Sequence, residues 1–154
     1  MSATTDRVQR SAPAYRERRW LVLGLSVFAV YNLALALFMV VGAHSFYEEV
    51  GPFGSYNPHF IRDVATYNAA MGFGFAVAVG HPAWRVPVLA INAVQFALHT
   101  INHLFDIGAA HPERTGYFDF FSLLAATLLL LWMLRAAVAD RASGSPRPDQ
   151  GGSP

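Results

Sequence analysis

The sequence contains no cysteine and no lysine. Without cysteine the chain has no disulfide, no thiolate metal site, no thiol catalysis and no palmitoylation site. Charge is scarce too, since only 14% of the residues are Asp, Glu, Lys or Arg while 54% are hydrophobic. A soluble domain usually carries about 25% charged residues, so the apolar excess in these 154 residues calls for a solvent other than water.

The apolar residues fall into four blocks of membrane-spanning length. The blocks run from Trp20 to Ala43, from Val64 to Gly80, from Val86 to Leu104 and from Phe118 to Val138. Each is close to the roughly 20 residues that cross a hydrocarbon core of about 30 Å. A soluble helical domain would need charged helix faces, and a cleaved signal peptide would need a shorter first run. We predict an all-α fold, a four-transmembrane-helix antiparallel bundle over residues 20–138, with disordered cytoplasmic tails at 1–19 and 139–154.

The distribution of charge predicts the orientation of this bundle. If the spans alternate, every arginine except Arg62 and Arg114 lies at the end that holds both termini. Carboxylates collect at the opposite end, at Glu48, Glu49, Asp63, Asp106, Glu113 and Asp119. Because arginine-rich segments stay in the cytoplasm, we expect a multi-pass cell-membrane protein with cytoplasmic N- and C-termini. We expect the lipid bilayer as its surroundings and no nucleic acid as partner; a homo-oligomer and a partner membrane subunit stay open.

The connections between the blocks also carry information. His81 to Arg85 is short enough to make the second and third spans antiparallel neighbours. The external loop from His44 to Asp63 is long and aromatic, and we expect it to fold back onto the membrane surface. Small residues recur along one side of the second span, which predicts close helix packing. They are Ala65, Ala69, Gly72, Ala76 and Gly80.

The third span carries a polar stripe, which is a set of residues that lipid tolerates poorly. Its members are Asn92, Gln95, His99, Asn102, His103 and Asp106. Their spacing puts them on one broad helix face. Amide and imidazole groups facing lipid would each cost on the order of several kcal/mol, so we expect the stripe to point into the bundle.

The outer part of this stripe suggests a site. His99 and His103 are four residues apart, a spacing that suits one metal ion, and Asp106 lies one turn further on. The groups that could complete the site from other segments are His44, His59 and Asp63. Imidazoles with carboxylates suit zinc, copper, iron or manganese, or a proton relay, whereas the missing thiolates argue against copper(I) and iron–sulfur clusters. A haem would need axial ligands from two helices, such as His44 opposite His99 or His103.

Two patterns resemble known families. The four short spans, the aromatic loop, Arg62-Asp63 opening span two and the Gly- and Ala-rich second helix resemble the DoxX-like group of small membrane proteins, over Trp20 to Arg135. That resemblance implies a four-helix membrane bundle, linked in some members to quinone or thiol redox systems, although thiol chemistry has no counterpart in a cysteine-free chain.

His99-Thr-Ile-Asn-His103-Leu-Phe-Asp106 is also similar to one histidine box of membrane di-iron desaturases and hydroxylases. Those enzymes use more histidines than the six present here, so we do not transfer their activity.

The sequence therefore leaves two hypotheses of different classes. The first, ranked slightly ahead, is a structural or accessory membrane component whose polar stripe holds the bundle together. The second is an externally facing His and Asp site that binds a transition metal or haem or relays protons. A zinc protease is excluded, because His99-Thr-Ile-Asn-His103 has no Glu after its first histidine. No reaction, substrate or cofactor is assigned at this stage.

Overall fold

The computed structural model describes residues 18–143, and this part of the chain consists of five helices and their connections. They are α1 (Arg19–Val41), α2 (Ala43–Glu49), α3 (Pro58–Gly80), α4 (Pro82–Phe105) and α5 (Glu113–Ser143). Residues 18–143 contain no strand, so the all-α prediction is confirmed. The predicted tails fall mostly at 1–17 and 144–154, outside the described residues.

Three helices in the described part, α1, α4 and α5, are long and apolar enough to cross a membrane. They confirm the prediction of membrane-spanning helices. α3 is also 23 residues long, but it is not among the three. Its first half carries Arg62, Asp63 and Asn68, which are costly in hydrocarbon. Composition alone therefore supports three spans, and the predicted fourth crossing depends on how α3 is placed.

Two predicted connections are shorter in the structure. α3 begins at Pro58 rather than Val64, because the Asn57 side chain accepts hydrogen bonds from the backbone N–H groups of His59 and Phe60, both at 3.1 Å. Asparagine before a first-turn proline is a favourable helix start. The external loop is further shortened by α2, so only residues 50–57 join α2 to α3. The link between α3 and α4 is His81 alone, since helix already resumes at Pro82.

α5 is longer than the predicted fourth span, because it continues past Val138 through residues 139–143. Arg18 donates from Nε to Asp140 Oδ1 at 2.9 Å, and Ser143 Oγ donates to the Asp140 carbonyl at 3.0 Å. The ion pair places the start of α1 beside the end of α5. The described helices therefore begin and finish at the same end of the molecule, here named the Arg18 end.

The helices pack as two pairs. α1 lies along α3, and a Cβ at Gly72 would come within 2.8 Å of Leu33 Cγ and 3.0 Å of Leu33 N. The small-residue stripe thus brings two backbones together at Gly72, whereas Gly80 has nothing within 4 Å of such a Cβ. α4 lies along α5, and the hydroxyls of Thr100 and Thr127 are 3.0 Å apart across that contact.

The two pairs meet at the Arg18 end in one hydrophobic core. Its completely buried side chains include Leu25 of α1, Phe75 of α3, Leu89 of α4 and Leu130 of α5. At the rim of this core the rings of Trp20 and Trp132 stack, with centroids 4.1 Å apart. Burial of this set holds all four long helices together at this end.

A second cluster occupies the opposite end but joins only α1, α2 and α3. Its buried members are Ala36, Met39, Ala43, Ile61 and Ala65. No residue of α4 or α5 belongs to it within the described chain. The two helix pairs are therefore packed together at the Arg18 end and stand apart at the other, here named the His99 end.

Candidate functional site

A cavity of about 620 Å³ fills the space between the two helix pairs at the His99 end. All five helices and the 50–57 segment contribute to its wall. Small-molecule sites in proteins usually measure about 300 to 1,000 Å³ and combine an apolar lining with a few polar groups. This cavity has both the size and the mixed lining of such a site.

Aromatic side chains form the floor of the cavity. Phe28 of α1 packs against Phe75 and Phe96, with ring centroids 5.2 and 5.8 Å apart. Phe28 and Phe96 line the cavity from this position, which is the top of the core at the Arg18 end. The floor is thus formed by rings that are packed into, or directly against, the buried core of the four long helices.

The opposite end of the cavity is covered by α2 and the 50–57 segment. Tyr47 donates from its hydroxyl to the Gly54 carbonyl at 2.6 Å and so ties the segment to α2. Gly54 has a φ of +65°, a left-handed conformation that favours glycine at this turn. The ring of Phe53 then meets His103 edge-on, with centroids 5.2 Å apart. The aromatic segment therefore lies over the cavity and contacts its polar wall.

His99 and His103 form the centre of the polar wall. Their Nε2 atoms are 3.1 Å apart, so one imidazole donates to the other. The remaining nitrogen of His103, Nδ1, is buried and has no hydrogen-bond partner among residues 18–143. The arrangement that avoids an orphaned buried N–H has His103 neutral, donating from Nε2 to His99.

A second polar group faces the same cavity from α5 and α1. Asp119 of α5 is half-buried and lines the cavity, as does Ser122 one turn further along. The Tyr31 phenol of α1 lies close enough to interact electrostatically with the Asp119 carboxylate. The cavity therefore brings together an imidazole pair, a carboxylate and a phenol, all placed on long helices.

The polar stripe of α4 is divided between packing and the cavity. Asn92 is buried in the helix bundle, and Gln95 accepts a hydrogen bond from the Tyr67 hydroxyl at 3.4 Å. His99, Asn102 and His103 line the cavity, but His99 and Asn102 are exposed, so the burial of the whole stripe inside the bundle stays a prediction. Asp106 is exposed at the C-terminal end of α4 and is not part of the cavity wall.

The six predicted metal ligands are not brought together. His44 pairs with Glu48 at 3.2 Å and His59 with Asp63 at 3.5 Å, each on its own exposed helix face. Between residues 18 and 143 no group of three His, Asp or Glu side chains could hold a metal ion. The expected third ligand for His99 and His103 from another helix is therefore missing from the described chain, and metal binding stays a prediction.

Asp119 and Ser122 are not among the site residues that the sequence predicts, although the sequence does carry a signal for Asp119. Asp119 falls inside the apolar block from Phe118 to Val138, and an ionisable residue within a span marks function by default. Its position next to the end of that block makes it resemble an external surface charge in the sequence alone. Comparison with protein-family models, curated proteins and solved structures gives no match, so the DoxX-like resemblance stays a prediction.

Proposed function

We propose that this protein is a four-span membrane protein that binds an amphiphilic small molecule in the cavity between its two helix pairs. The single observation that carries the proposal is the convergence of polar groups from α1, α4 and α5 on one aromatic-floored space of about 620 Å³. If the polar stripe only held the bundle together, all of its side chains should be buried between helices or bonded to another helix. Asn92 is buried in this way, and Gln95 is bonded to Tyr67 of α3. His99, Asn102 and His103 instead face open space.

The placement of α3 supports a fourth crossing. The Arg18 to Asp140 ion pair puts the start of α1 and the end of α5 together, which requires an even number of crossings between them. α3 is 23 residues long, about 34 Å at 1.5 Å per residue, and it lies along α1. With the arginine-rich end in the cytoplasm, the cavity lies in the external half of the cell membrane.

Native mass spectrometry of protein purified in a mild detergent tests this function. The wild type should carry an additional organic molecule that survives detergent exchange. Ala126→Phe, which places a ring in the cavity wall, should lose it. Ala125→Phe is the matched control, because Ala125 is exposed on the same helix and does not line the cavity.

The outcomes of this measurement distinguish a ligand-binding cavity from a structural component and from a metal site. Equal ligand loss in both phenylalanine variants, or a wild type without any bound molecule, would contradict the proposal and favour a structural or accessory component. An added mass equal to a transition-metal ion, lost in His99→Ala and His103→Ala, would favour the metal site instead. An organic adduct lost only in Ala126→Phe supports the cavity as a binding site.

A further inference from the structure

The cavity wall contains a carboxylate without a cationic partner. Asp119 is half-buried there, and no arginine is among the residues that line the cavity in the described chain. Other carboxylates do have basic partners, since Asp140 pairs with Arg18, Glu48 with His44 and Asp63 with His59. A carboxylate in apolar surroundings is costly unless a counter-charge compensates it. Residues 18–143 place no arginine in the cavity wall.

The imidazoles that line the same cavity do not supply a counter-charge either. In the contact between His99 Nε2 and His103 Nε2, one nitrogen must present a lone pair, so the two rings cannot both be protonated. A second proton on His103 would sit at the buried, unpartnered Nδ1. The pair therefore acts as a neutral hydrogen-bonding group, and the charge of Asp119 is left for a ligand to match.

The rest of the lining is suited to a cation. Eight of the residues around the cavity are Phe or Tyr, among them Tyr31, Phe96 and Phe118. Aromatic faces attract organic cations by about 0.5 to 2 kcal/mol each, depending on how far the cation is desolvated. They also bury apolar substituents, so one lining serves both the charge and the hydrocarbon part of a ligand.

The exposed charge at the His99 end of the molecule has the same sign as Asp119. The acidic residues at the His99 end are Glu48, Glu49, Asp63, Asp106 and Glu113, against the two basic residues Arg62 and Arg114. An excess of negative charge on a protein surface raises the local concentration of cations and lowers that of anions. The surface charge of the His99 end and the carboxylate inside the cavity therefore favour the same kind of molecule.

From these four features we propose that the ligand is a lipophilic organic cation, such as an amine or onium ion with bulky apolar substituents. Its charged centre lies between Asp119 and the aromatic rings, and its apolar part contacts Phe28 and Phe96 at the floor. This assignment rests on the proposed function of the cavity as a binding site. It adds the charge of the ligand and the residue that recognises it.

Two probes of matched shape and opposite charge test the assignment. Binding of tetraphenylphosphonium and of tetraphenylborate is measured by equilibrium dialysis of the full chain in mild detergent at pH 8. The wild type should bind the cation and leave the anion at the background set by Ala126→Phe. Asp119→Asn should weaken cation binding by about tenfold or more, since it removes the charge partner.

Two further variants make the comparison decisive. Asp119→Glu keeps the charge and should restore most of the binding, which a purely structural role of Asp119 would not predict. Glu113→Gln removes an exposed carboxylate of the same helix that does not line the cavity and contributes only to the diffuse charge of the His99 end, so it should weaken binding by no more than about twofold, far less than Asp119→Asn. Equal binding of the two probes in the wild type, or no loss in Asp119→Asn, would overturn the cation assignment.

Failure of this inference differs from failure of the proposed function. If the anion binds and Ala126→Phe abolishes that binding, the cavity is a ligand site for another class of molecule. If neither probe binds above background, and the purified protein carries no organic adduct, both proposals fall.

Discussion

Thr100 and Asn92 are polar residues of α4 that differ in whether their oxygen atoms have partners. The Thr100 hydroxyl donates to the Phe96 carbonyl at 2.7 Å and lies 3.0 Å from the Thr127 hydroxyl on α5. Asn92 donates to the Val88 carbonyl at 2.9 Å, but its Oδ1 is buried with no partner in residues 18–143. An unpaired buried polar atom costs about 1 to 3 kcal/mol.

These two residues should therefore respond differently to apolar substitution. Thr100→Val removes an interhelical hydrogen bond and should destabilise the protein by about 0.6 to 1.7 kcal/mol. Asn92→Leu removes an unpaired oxygen and should be neutral or stabilising. Unfolding in mixed micelles measures both, and the contrast is contradicted if Asn92→Leu loses as much stability as Thr100→Val.

For single residues, the sequence predicts which polar side chains share a helix face, but it does not predict which side chains of other helices they contact. Spacing placed His99 and His103 on one helix face, and they do contact each other. It could not exclude His44 and His59 from that site, because their pairing with Glu48 and Asp63 depends on where α2 and α3 begin. Nor could it join Asp119 to Tyr31, which lie on helices distant in sequence.

At the scale of helices, the contact of α1 with α3 depends on the absence of a side chain at Gly72. The atom that a Cβ would meet at 3.0 Å is the backbone nitrogen of Leu33, which cannot move without shifting α1. The intrinsic helix preference for alanine over glycine is about 1 kcal/mol. Overpacking costs about 1 to 3 kcal/mol, so the steric effect should prevail.

We therefore expect Gly72→Ala to lower the melting temperature of the detergent-solubilised protein. Gly80→Ala is the matched control, because its Cβ would meet nothing within 4 Å, and it should leave the melting temperature unchanged or slightly raised. Equal melting temperatures for the two variants would show that α1 and α3 are not in close backbone contact at Gly72.

Helix positions were largely predictable because hydropathy and length determine them locally. The start of α3 and the end of α5 differ from the predicted bounds for local reasons that a hydropathy profile does not contain. The Asn57 cap extends α3 over the charged residues Arg62 and Asp63, and the pairing of Arg18 with Asp140 accompanies a longer α5. The cavity was not predictable, since it results from the divergence of two helix pairs and no single segment encodes that angle.

In the whole molecule, the four long helices pack together at one end and leave a cavity between the two helix pairs at the other. The core of Leu25, Phe75, Leu89 and Leu130 holds all four long helices at the Arg18 end. At the His99 end the second cluster holds only α1, α2 and α3, which leaves room for a ligand beside α4 and α5. This division places the ligand site within the bilayer only if α3 crosses it together with the other three long helices.

Single-cysteine labelling tests that central claim most directly, since the chain has no native cysteine to interfere. Ala83→Cys reports the connection between α3 and α4, and Ser55→Cys reports the segment between α2 and α3; both positions are exposed. With a membrane-impermeant maleimide, Ser55→Cys should react in intact cells, and Ala83→Cys should react only after the membrane is opened. Labelling of both positions from the same side would contradict four crossings and move the cavity out of the bilayer.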